Sequence, residues 1–390
     1  MPLKFSLILL LTTFSSLCWP QWNATQLEQM RAIDQKYLSI DHTGLATFWG
    51  GFKRSMGINF NNGDTIAWKT PLFKQGHLPI YFSENASKAP LVVFMPGIFG
   101  ATLRGLTPPT IERLEQMGVH VLVVPNLVSD QYVHAYPLYR GNIVENEAQV
   151  LESALEFALA KLPGKVTKVH VIAESLGTVV AAGWTAWDSS HKKRINSLTL
   201  MSPPLDLSSA MTNFDNIINE YRPDLNKCSR ASMYWRVLTE FILREIPRDF
   251  PIQEKRCIAA VVLVEAFLKS AQSAYLAHTV TLDDKSAYTV RSFEDFFRRY
   301  RPELWSMLER KDAGLKLATW IKIIRQNSQM PVRILTSKDD FLNRGLTWND
   351  FLNDTQLSND HLFIFSWGGH SGMIATPELD KVLKEVIDSI

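Results

Sequence analysis

Short apolar runs rich in β-branched residues alternate with longer amphipathic segments in two separate parts of the chain. Each run predicts a buried strand, and apolar positions spaced three and four residues apart predict helices between successive runs. The predicted strands cover residues 89–95, 119–124, 166–173, 195–201, 331–336 and 361–366. Strands that alternate with helices are typical of a mainly parallel sheet flanked by helices, so the predicted fold class is α/β.

The alternation stops at Pro204 and resumes at Pro331, and the pattern between them is helical. An insertion between two core strands lies over the carboxyl ends of the strands, where open α/β sheets bind ligands. We therefore predict a helical cap, or lid, over residues 205–330. The core that carries it would be formed by residues 58–204 and 331–390.

Three local patterns give further predictions. The apolar run 257–268 is too short to span a membrane, which favours a buried helix. Residues 19–57 form a predicted N-terminal segment, with helical spacing of apolar residues over 23–38. The sequence NNGD at residues 61–64 then predicts a turn within an antiparallel lead-in to the sheet.

The start of the chain has the form of a secretory signal peptide. Lys4 precedes an apolar run from Phe5 to Leu17, which is too short to span a bilayer comfortably. We therefore predict a signal peptide over residues 1–18 and an exported protein, periplasmic or secreted. Two alternatives stay open: an uncleaved anchor, which would associate the protein with a membrane through its N-terminus, and lipid attachment at Cys18.

Cysteine usage agrees with export. Once Cys18 is removed with the signal, Cys228 and Cys257 remain, an even number in an exported chain. A disulfide between them is one hypothesis, and two separate buried thiols are the other.

Composition and charge exclude several classes of function. The chain has 390 residues, of which 46% are hydrophobic and 21% charged, as in an ordinary globular protein. Its 41 basic and 39 acidic residues nearly balance, which gives no electrostatic reason to expect a nucleic-acid partner. The sequence contains no zinc, calcium or phosphate-binding motif, and we expect neither a metal nor a cofactor.

The candidate chemistry begins at a serine between a predicted strand and a predicted helix. Ser175 follows the strand 166–173, and the small residues from Gly177 onward predict a helix. Strand, serine and helix form the nucleophile-elbow arrangement, whose usual sequence is G-x-S-x-G. Here the sequence is A-x-S-x-G, with Ala173 at a position that must be small because the strand and helix backbones nearly touch.

A carboxylate and a histidine follow later strands in the order that completes a serine triad. Asp340 comes after the strand 331–336, and His370 lies in a Gly-Gly-His-Ser-Gly loop after the last strand. The order Ser, Asp, His is that of the α/β-hydrolases. The chain resembles this superfamily over residues 58–204 and 331–390, and in particular its esterase and lipase-type members with a GGHxG histidine loop.

The resemblance implies a role for each residue of the triad. Ser175 would be the nucleophile and His370 its general base, since a neutral imidazole is available near pH 7. Asp340 would orient the imidazole, because residues 337–340 resemble the G-x-x-D turn of the superfamily. Asp339 is the alternative acid.

Two backbone amides are candidates for stabilising an oxyanion. One is the amide of Leu176, directly after the nucleophile. By resemblance to the H-G-x-x-G loop of the superfamily, the other is the amide of Ile98 in the sequence PGIFG at residues 96–100. Pro96 takes the place of the usual histidine, which removes a side chain that often braces the loop.

Together these features predict an exported serine hydrolase that cleaves carboxylic esters through an acyl-enzyme. The substrate would be a small-molecule or lipid ester, and the apolar cap would either line an acyl pocket or pack on the core. Two alternatives stay open. One is an acyl thioesterase or peptidase with the same triad. The other is a non-catalytic binding protein on a hydrolase scaffold, and the departures from the usual motifs at Ala173 and Pro96 favour it.

Overall fold

A computed structural model describes residues 22–37, 40, 42, 44–47, 63–73, 76–98, 100, 107–135, 143–243, 250–278 and 289–388. The signal peptide predicted over residues 1–18 lies outside these residues, as do residues 48–62. The strands are β1 (Gly63–Trp68), β2 (Leu78–Ser83), β3 (Ala89–Met95), β4 (His120–Val123), β5 (Val166–Glu174), β6 (Ile195–Met201), β7 (Val332–Ser337) and β8 (Leu362–Phe365).

These strands form one sheet in the order β1-β2-β4-β3-β5-β6-β7-β8. The β1–β2 and β2–β4 pairs are antiparallel, and the pairs from β4–β3 to β7–β8 are parallel. The sheet is thus mainly parallel, with helices inserted between β6 and β7. The predicted fold class is confirmed.

Helices cover both faces of the sheet. In chain order they are α1 (Ala24–Tyr37), α2 (Thr107–Gln116), α3 (Asp130–Ala135), α4 (Ile143–Lys161), α5 (Gly177–Ser190), α6 (Leu207–Tyr221), α7 (Arg230–Leu243), α8 (Ile252–Ala259), α9 (Ala266–His278), α10 (Phe293–Tyr300), α11 (Pro302–Glu309), α12 (Leu317–Asn327), α13 (Trp348–Thr355) and α14 (Pro377–Asp388). In β3, Leu91 and Val93 belong to a core shared with α4 and α5, whereas Val92 and Phe94 belong to a core shared with α1 and α14. Successive side chains of a strand point to opposite faces, so a strand that is apolar throughout requires helices on both.

The antiparallel lead-in to the sheet is confirmed by the pairing of β1 with β2, but Gly63 and Asp64, the described part of the turn predicted at residues 61–64, lie in β1. Gly63 begins β1, and the connection from β1 to β2 lies between Trp68 and Leu78. Gly63 is small for a different reason, since a Cβ there would overlap the hydroxyl group of Tyr81 on β2. Close approach of two strands therefore explains this glycine.

The apolar run predicted as a short buried helix belongs to a longer one. A π-helical segment, Ala260–Glu265, joins α8 to α9 in a continuous 25-residue stretch, Ile252–Leu276. By length and composition alone, this is the one helix among the described residues that could cross a membrane. Half of its most apolar window is buried inside the protein, so packing of residues such as Ile258 and Val264 accounts for its composition.

Cys228 and Cys257 form a disulfide, which confirms the pairing hypothesis. Their Cα atoms lie 5.6 Å apart, and 29 positions separate them in the sequence. The bond ties the segment before α7 to α8, the first part of the long cap helix, next to an ion pair between Arg256 and Asp224 (2.7 Å). It therefore fixes one end of the helix that faces the candidate site.

Replacing either cysteine with serine is expected to lower the free energy of unfolding by about 2–4 kcal/mol, because the closed loop restricts the unfolded chain. Urea unfolding followed by circular dichroism measures the change. Cys228→Ser, Cys257→Ser and the double variant should lose similar amounts, since all three lose the same bond. A double variant that loses the sum of the two single losses would contradict a shared bond.

Candidate active site

Ser175 stands at the sharp turn where β5 ends and α5 begins. Its φ of 52° lies in the left-handed region, which costs a non-glycine residue about 1–3 kcal/mol. The Ser175 N–H donates to the carbonyl of Met201 on β6 (2.9 Å), and the Thr178 N–H donates to the carbonyl of Ser175 (3.0 Å). The sheet on one side and the first helical turn on the other thus hold the strained residue. This is the geometry of a nucleophile elbow.

The small residues around the serine have separate structural reasons. A Cβ at Gly177 would lie 2.6 Å from the Pro96 carbonyl oxygen, so a larger residue there would displace the helix from the loop after β3. A Cβ at Gly97 would lie 3.0 Å from the Cβ of Ser175, because this loop passes close to the serine. Ala173, the departure from the usual pattern, is fully buried in β5 between β3 and β6, where its methyl group is accommodated.

His370 connects Ser175 to a buried carboxylate. Its Nε2 lies 2.7 Å from the Ser175 Oγ, and its Nδ1 lies 3.1 Å from both carboxylate oxygens of Asp340. In the neutral tautomer that fits these partners, the Nδ1–H donates to Asp340 and the Ser175 hydroxyl donates to Nε2. Asp340 Oδ1 also accepts from the N–H of Leu342 (3.1 Å). The structure therefore brings together the serine, histidine and aspartate that the sequence singles out.

Asp339, the alternative acid, makes a different contact. Its Oδ1 accepts a hydrogen bond from the Gly369 N–H (2.9 Å), and the Gly369 carbonyl accepts from the Ser337 hydroxyl (2.5 Å). Burial raises the pKa of the Asp339 carboxyl group, and the hydrogen bond from the Gly369 N–H opposes that shift. Asp340 faces the imidazole, whereas Asp339 supports the loop that carries His370.

Residues from the N-terminal segment also fix the histidine loop. The His370 N–H donates to Thr47 Oγ1 (2.9 Å). Asp34 of α1 accepts from both the N–H (2.6 Å) and the hydroxyl (2.8 Å) of Ser366, just before the loop. Single polar contacts of this kind leave no periodic signal in a sequence, so sequence analysis misses both residues.

The two candidate oxyanion residues, Ile98 and Leu176, border the same small cavity as Ser175 and His370. Within the described part of the chain, neither of their backbone N–H groups donates to a backbone carbonyl. Two donors beside a serine hydroxyl are what a tetrahedral oxyanion requires. The predicted pair thus borders the same cavity as the serine.

Asn126 braces the loop that carries Ile98. Its Nδ2 donates to the Pro96 carbonyl (3.1 Å), and its backbone N–H donates to the Gly100 carbonyl (2.8 Å). The brace comes from the segment after β4 instead of from a histidine within the loop. The sequence departure at Pro96 therefore leaves the loop supported.

The charge state of His370 is set by two opposing effects. Burial disfavours the imidazolium, but the charge and hydrogen bond of Asp340, together with the charge of Glu174, raise the pKa of His370 above its ordinary value of 6.5. Glu174 directly precedes the serine and is buried. Asp340 and Glu174 thus stabilise the imidazolium more than burial destabilises it, and the pKa of His370 is raised.

A cavity of about 450 Å³ opens beside His370. The loop after β3 and Glu174 form one side of it, and Phe214 of α6, Leu263 of the π-helical segment and Phe267 of α9 form the other. Its size is typical of small-molecule sites. The inserted helices thus line this cavity as well as packing on the core.

Three other histidines lie within or beside strands, and burial lowers the pKa of His120, His170 and His361. That of His170 falls to about 4, and its Nδ1 lies 2.7 Å from Ser197 Oγ. These contacts are typical of neutral packing residues. Among the described residues, no group of three or more His, Cys, Asp and Glu side chains is arranged to hold a metal ion.

The sequence matches no family model and no curated protein. Several solved structures are similar at low sequence identity. A highly thermostable carboxyl esterase from Bacillus coagulans is 11% identical, with a TM-score of 0.49 over 85% of this chain and 99% of that one. A carboxylesterase structure from Nitrososphaera gargenis is 12% identical, with a TM-score of 0.47 over 83% and 97%. An esterase from Pyrococcus furiosus is 15% identical, with a TM-score of 0.45 over 85% and 94%.

With sequence identities of 11–15% and TM-scores below 0.5, the similarity to these solved structures does not bear on the activity of this protein. The strand order, the Ser175 elbow after β5, and Asp340 and His370 after β7 and β8 decide the fold class. The chain has the α/β-hydrolase fold.

Because the pKa of His370 is raised, the ascending limb of the pH profile of kcat/KM is expected to have its midpoint above pH 6.5. Asp340→Asn removes the charge that raises this pKa, so its midpoint should shift to lower pH. Its kcat should also fall by about 10⁴-fold, since the imidazole loses its tautomer and its counter-charge. Initial rates of ester hydrolysis across the pH range measure both effects.

Asp339→Asn is the matched control for this experiment. It removes the adjacent carboxylate, which contacts Gly369 and does not contribute to the shift at His370. Its amide oxygen can still accept from Gly369, so the midpoint should stay close to that of the unmodified protein. Equal shifts in the two variants would contradict the placement of Asp340 at the imidazole.

Proposed function

We propose that the protein is a serine hydrolase that cleaves carboxylic esters through an acyl-enzyme intermediate. The observation that carries the proposal is the position of His370, which is hydrogen-bonded through one nitrogen to the Ser175 Oγ and through the other to Asp340. A serine hydroxyl is a poor nucleophile until a neighbouring base takes its proton. A base in this position also needs a group that fixes its tautomer, which Asp340 supplies.

In the first half-reaction, the Ser175 Oγ bonds to the ester carbonyl carbon while its proton passes to the His370 Nε2. The electron pair of the carbonyl π bond moves to the oxygen, to which the N–H groups of Ile98 and Leu176 donate. When the C=O bond forms again, the bond to the alcohol oxygen breaks, and this oxygen takes the proton from His370. Loss of one oxyanion donor would cost about 3–4 kcal/mol in the transition state.

In the second half-reaction, a water molecule attacks the acyl carbon and gives a proton to His370. The tetrahedral intermediate then breaks its bond to the Ser175 Oγ, which regains that proton, and the carboxylic acid leaves. Asp340 stays ionised throughout and stabilises the imidazolium that forms in each half-reaction. Ester and water are thus converted to acid and alcohol.

Ser175→Ala is expected to abolish labelling by a fluorophosphonate probe, which bonds to an activated serine oxygen. Turnover of a short acyl ester should fall by about 10⁴-fold or more, because the triad acts as a unit. Gel fluorescence measures the labelling, and circular dichroism checks that the variant is folded. Ser190→Ala is the matched control, since Ser190 lies in the helix that follows Ser175, donates to the carbonyl of Ala186 and borders neither cavity beside His370.

The control should retain both labelling and turnover. A folded, unmodified protein that neither reacts with the probe nor turns over any ester would contradict the proposal and favour a binding protein. Labelling with turnover of thioesters or peptides, but not of oxygen esters, would contradict the substrate class alone.

We also propose that the protein is exported. The pattern of residues 1–18 supports this, as does the Cys228–Cys257 disulfide, because cytosolic thiols are kept reduced. In cell fractionation with intact-mass measurement, we expect a chain shortened by about 18 residues in the periplasm or the medium. Deletion of residues 2–18 should retain the protein in the cytosol. A full-length chain recovered from the cytosol would contradict export.

A further inference from the structure

A second cavity, of about 50 Å³, lies directly at the serine. It borders Ser175, His370 and both candidate oxyanion residues. The rest of its lining is apolar and includes Met211 of α6, Phe293 of α10 and Leu342. This small cavity is distinct from the large cavity of about 450 Å³ beside His370.

Three phenylalanine rings in mutual contact border the two cavities. Phe214 borders both, Phe267 borders the large cavity, and Phe293 borders the small one. Their ring centroids lie 4.1 Å (Phe267–Phe293), 4.3 Å (Phe214–Phe293) and 4.5 Å (Phe214–Phe267) apart, and all three side chains are buried. Close-packed interiors yield little, so we expect this aromatic wall to limit the length of a group that enters the small cavity.

The acyl-enzyme determines which part of an ester enters each cavity. Its acyl carbon is bonded to the Ser175 Oγ and its oxygen lies at the amides of Ile98 and Leu176, so the acyl chain must leave through space that these residues border. The small cavity borders all three, whereas the large cavity borders His370 and Ile98 but not Ser175 or Leu176. The alcohol must lie near His370, which returns the proton to it.

We propose that the enzyme is selective for esters of short acyl chains, of about two to four carbons, with a larger and more variable alcohol part. This inference rests on the proposed ester hydrolysis. Because a cavity of about 150 Å³ holds one benzene, or about 25 Å³ for each carbon, a cavity of about 50 Å³ accommodates about two carbons beyond the ester carbonyl. The large cavity has the size of a small-molecule site, and its polar residues Thr107, Asp130 and Ser270 suit an alcohol that carries hydrogen-bonding groups.

Two series of esters test the inference on the unmodified protein. In p-nitrophenyl esters from acetate to palmitate, kcat/KM should be highest at two to four acyl carbons. It should fall by at least about tenfold between butanoate and octanoate, since even one methylene that does not fit costs about that factor. In acetate esters of alcohols of increasing size, kcat/KM should vary by less than about tenfold.

A matched pair of variants tests which cavity sets the acyl length. Met211→Ala and Leu263→Ala each remove about three side-chain heavy atoms, the first from the small cavity and the second from the large one. Met211→Ala should move the preferred acyl chain to longer esters by about two or three carbons. Leu263→Ala should leave the preference unchanged, and thermal unfolding checks that both variants are folded.

Phe293→Leu provides a second test, because it replaces one ring of the aromatic wall with a smaller side chain that is still apolar. It should raise the relative kcat/KM of octanoate over butanoate by about tenfold. Highest activity with acyl chains of eight or more carbons in the unmodified protein would overturn the inference, and so would equal shifts in Met211→Ala and Leu263→Ala. Absence of both probe labelling and ester turnover would instead contradict the proposed hydrolysis itself, so the two failures are distinguishable.

Discussion

The hydrogen bond between the His370 Nε2 and the Ser175 Oγ is the contact on which the site depends. It joins groups 195 positions apart in the chain at a distance of 2.7 Å. Neither residue reaches this position by local preference alone, since Ser175 has a positive φ and His370 follows Gly368 and Gly369, whose φ values are 132° and 54°. The parallel sheet makes the contact possible because the carboxyl ends of β5, β7 and β8 meet at one edge.

Burial alone does not prepare a histidine to act as a base for serine. At His170, burial lowers the pKa to about 4 and the ring stays neutral at physiological pH. His370 is also withdrawn from solvent, yet its pKa is raised because both oxygens of Asp340 lie 3.1 Å from Nδ1. The carboxylate is therefore what would stabilise an imidazolium during proton transfer. Asp339 contributes indirectly, by holding Gly369.

The core and the inserted helices contribute different properties to the site. The core supplies the triad and the two amides, which are fixed by strand ends and tight loops. The inserted helices supply walls of both cavities, including Phe214, Phe267 and Phe293. The Cys228–Cys257 disulfide fixes the start of the helical stretch that carries Phe267. Selectivity could thus change through the insertion without any change in the triad.

The sequence by itself determined the fold class, and it singled out Ser175, His370 and a pair of neighbouring aspartates, because strand and helix periodicity depends on near neighbours and each of these residues lies in the turn or loop after a strand. Only the tertiary structure decided between Asp339 and Asp340, since adjacent residues in a turn share one sequence signal but point to different partners. It likewise decided that Gly63 lies in a strand, and that Thr47 and Asn126 support the site. Local patterns specify which face of an element is apolar, whereas contacts between distant residues depend on how the elements pack.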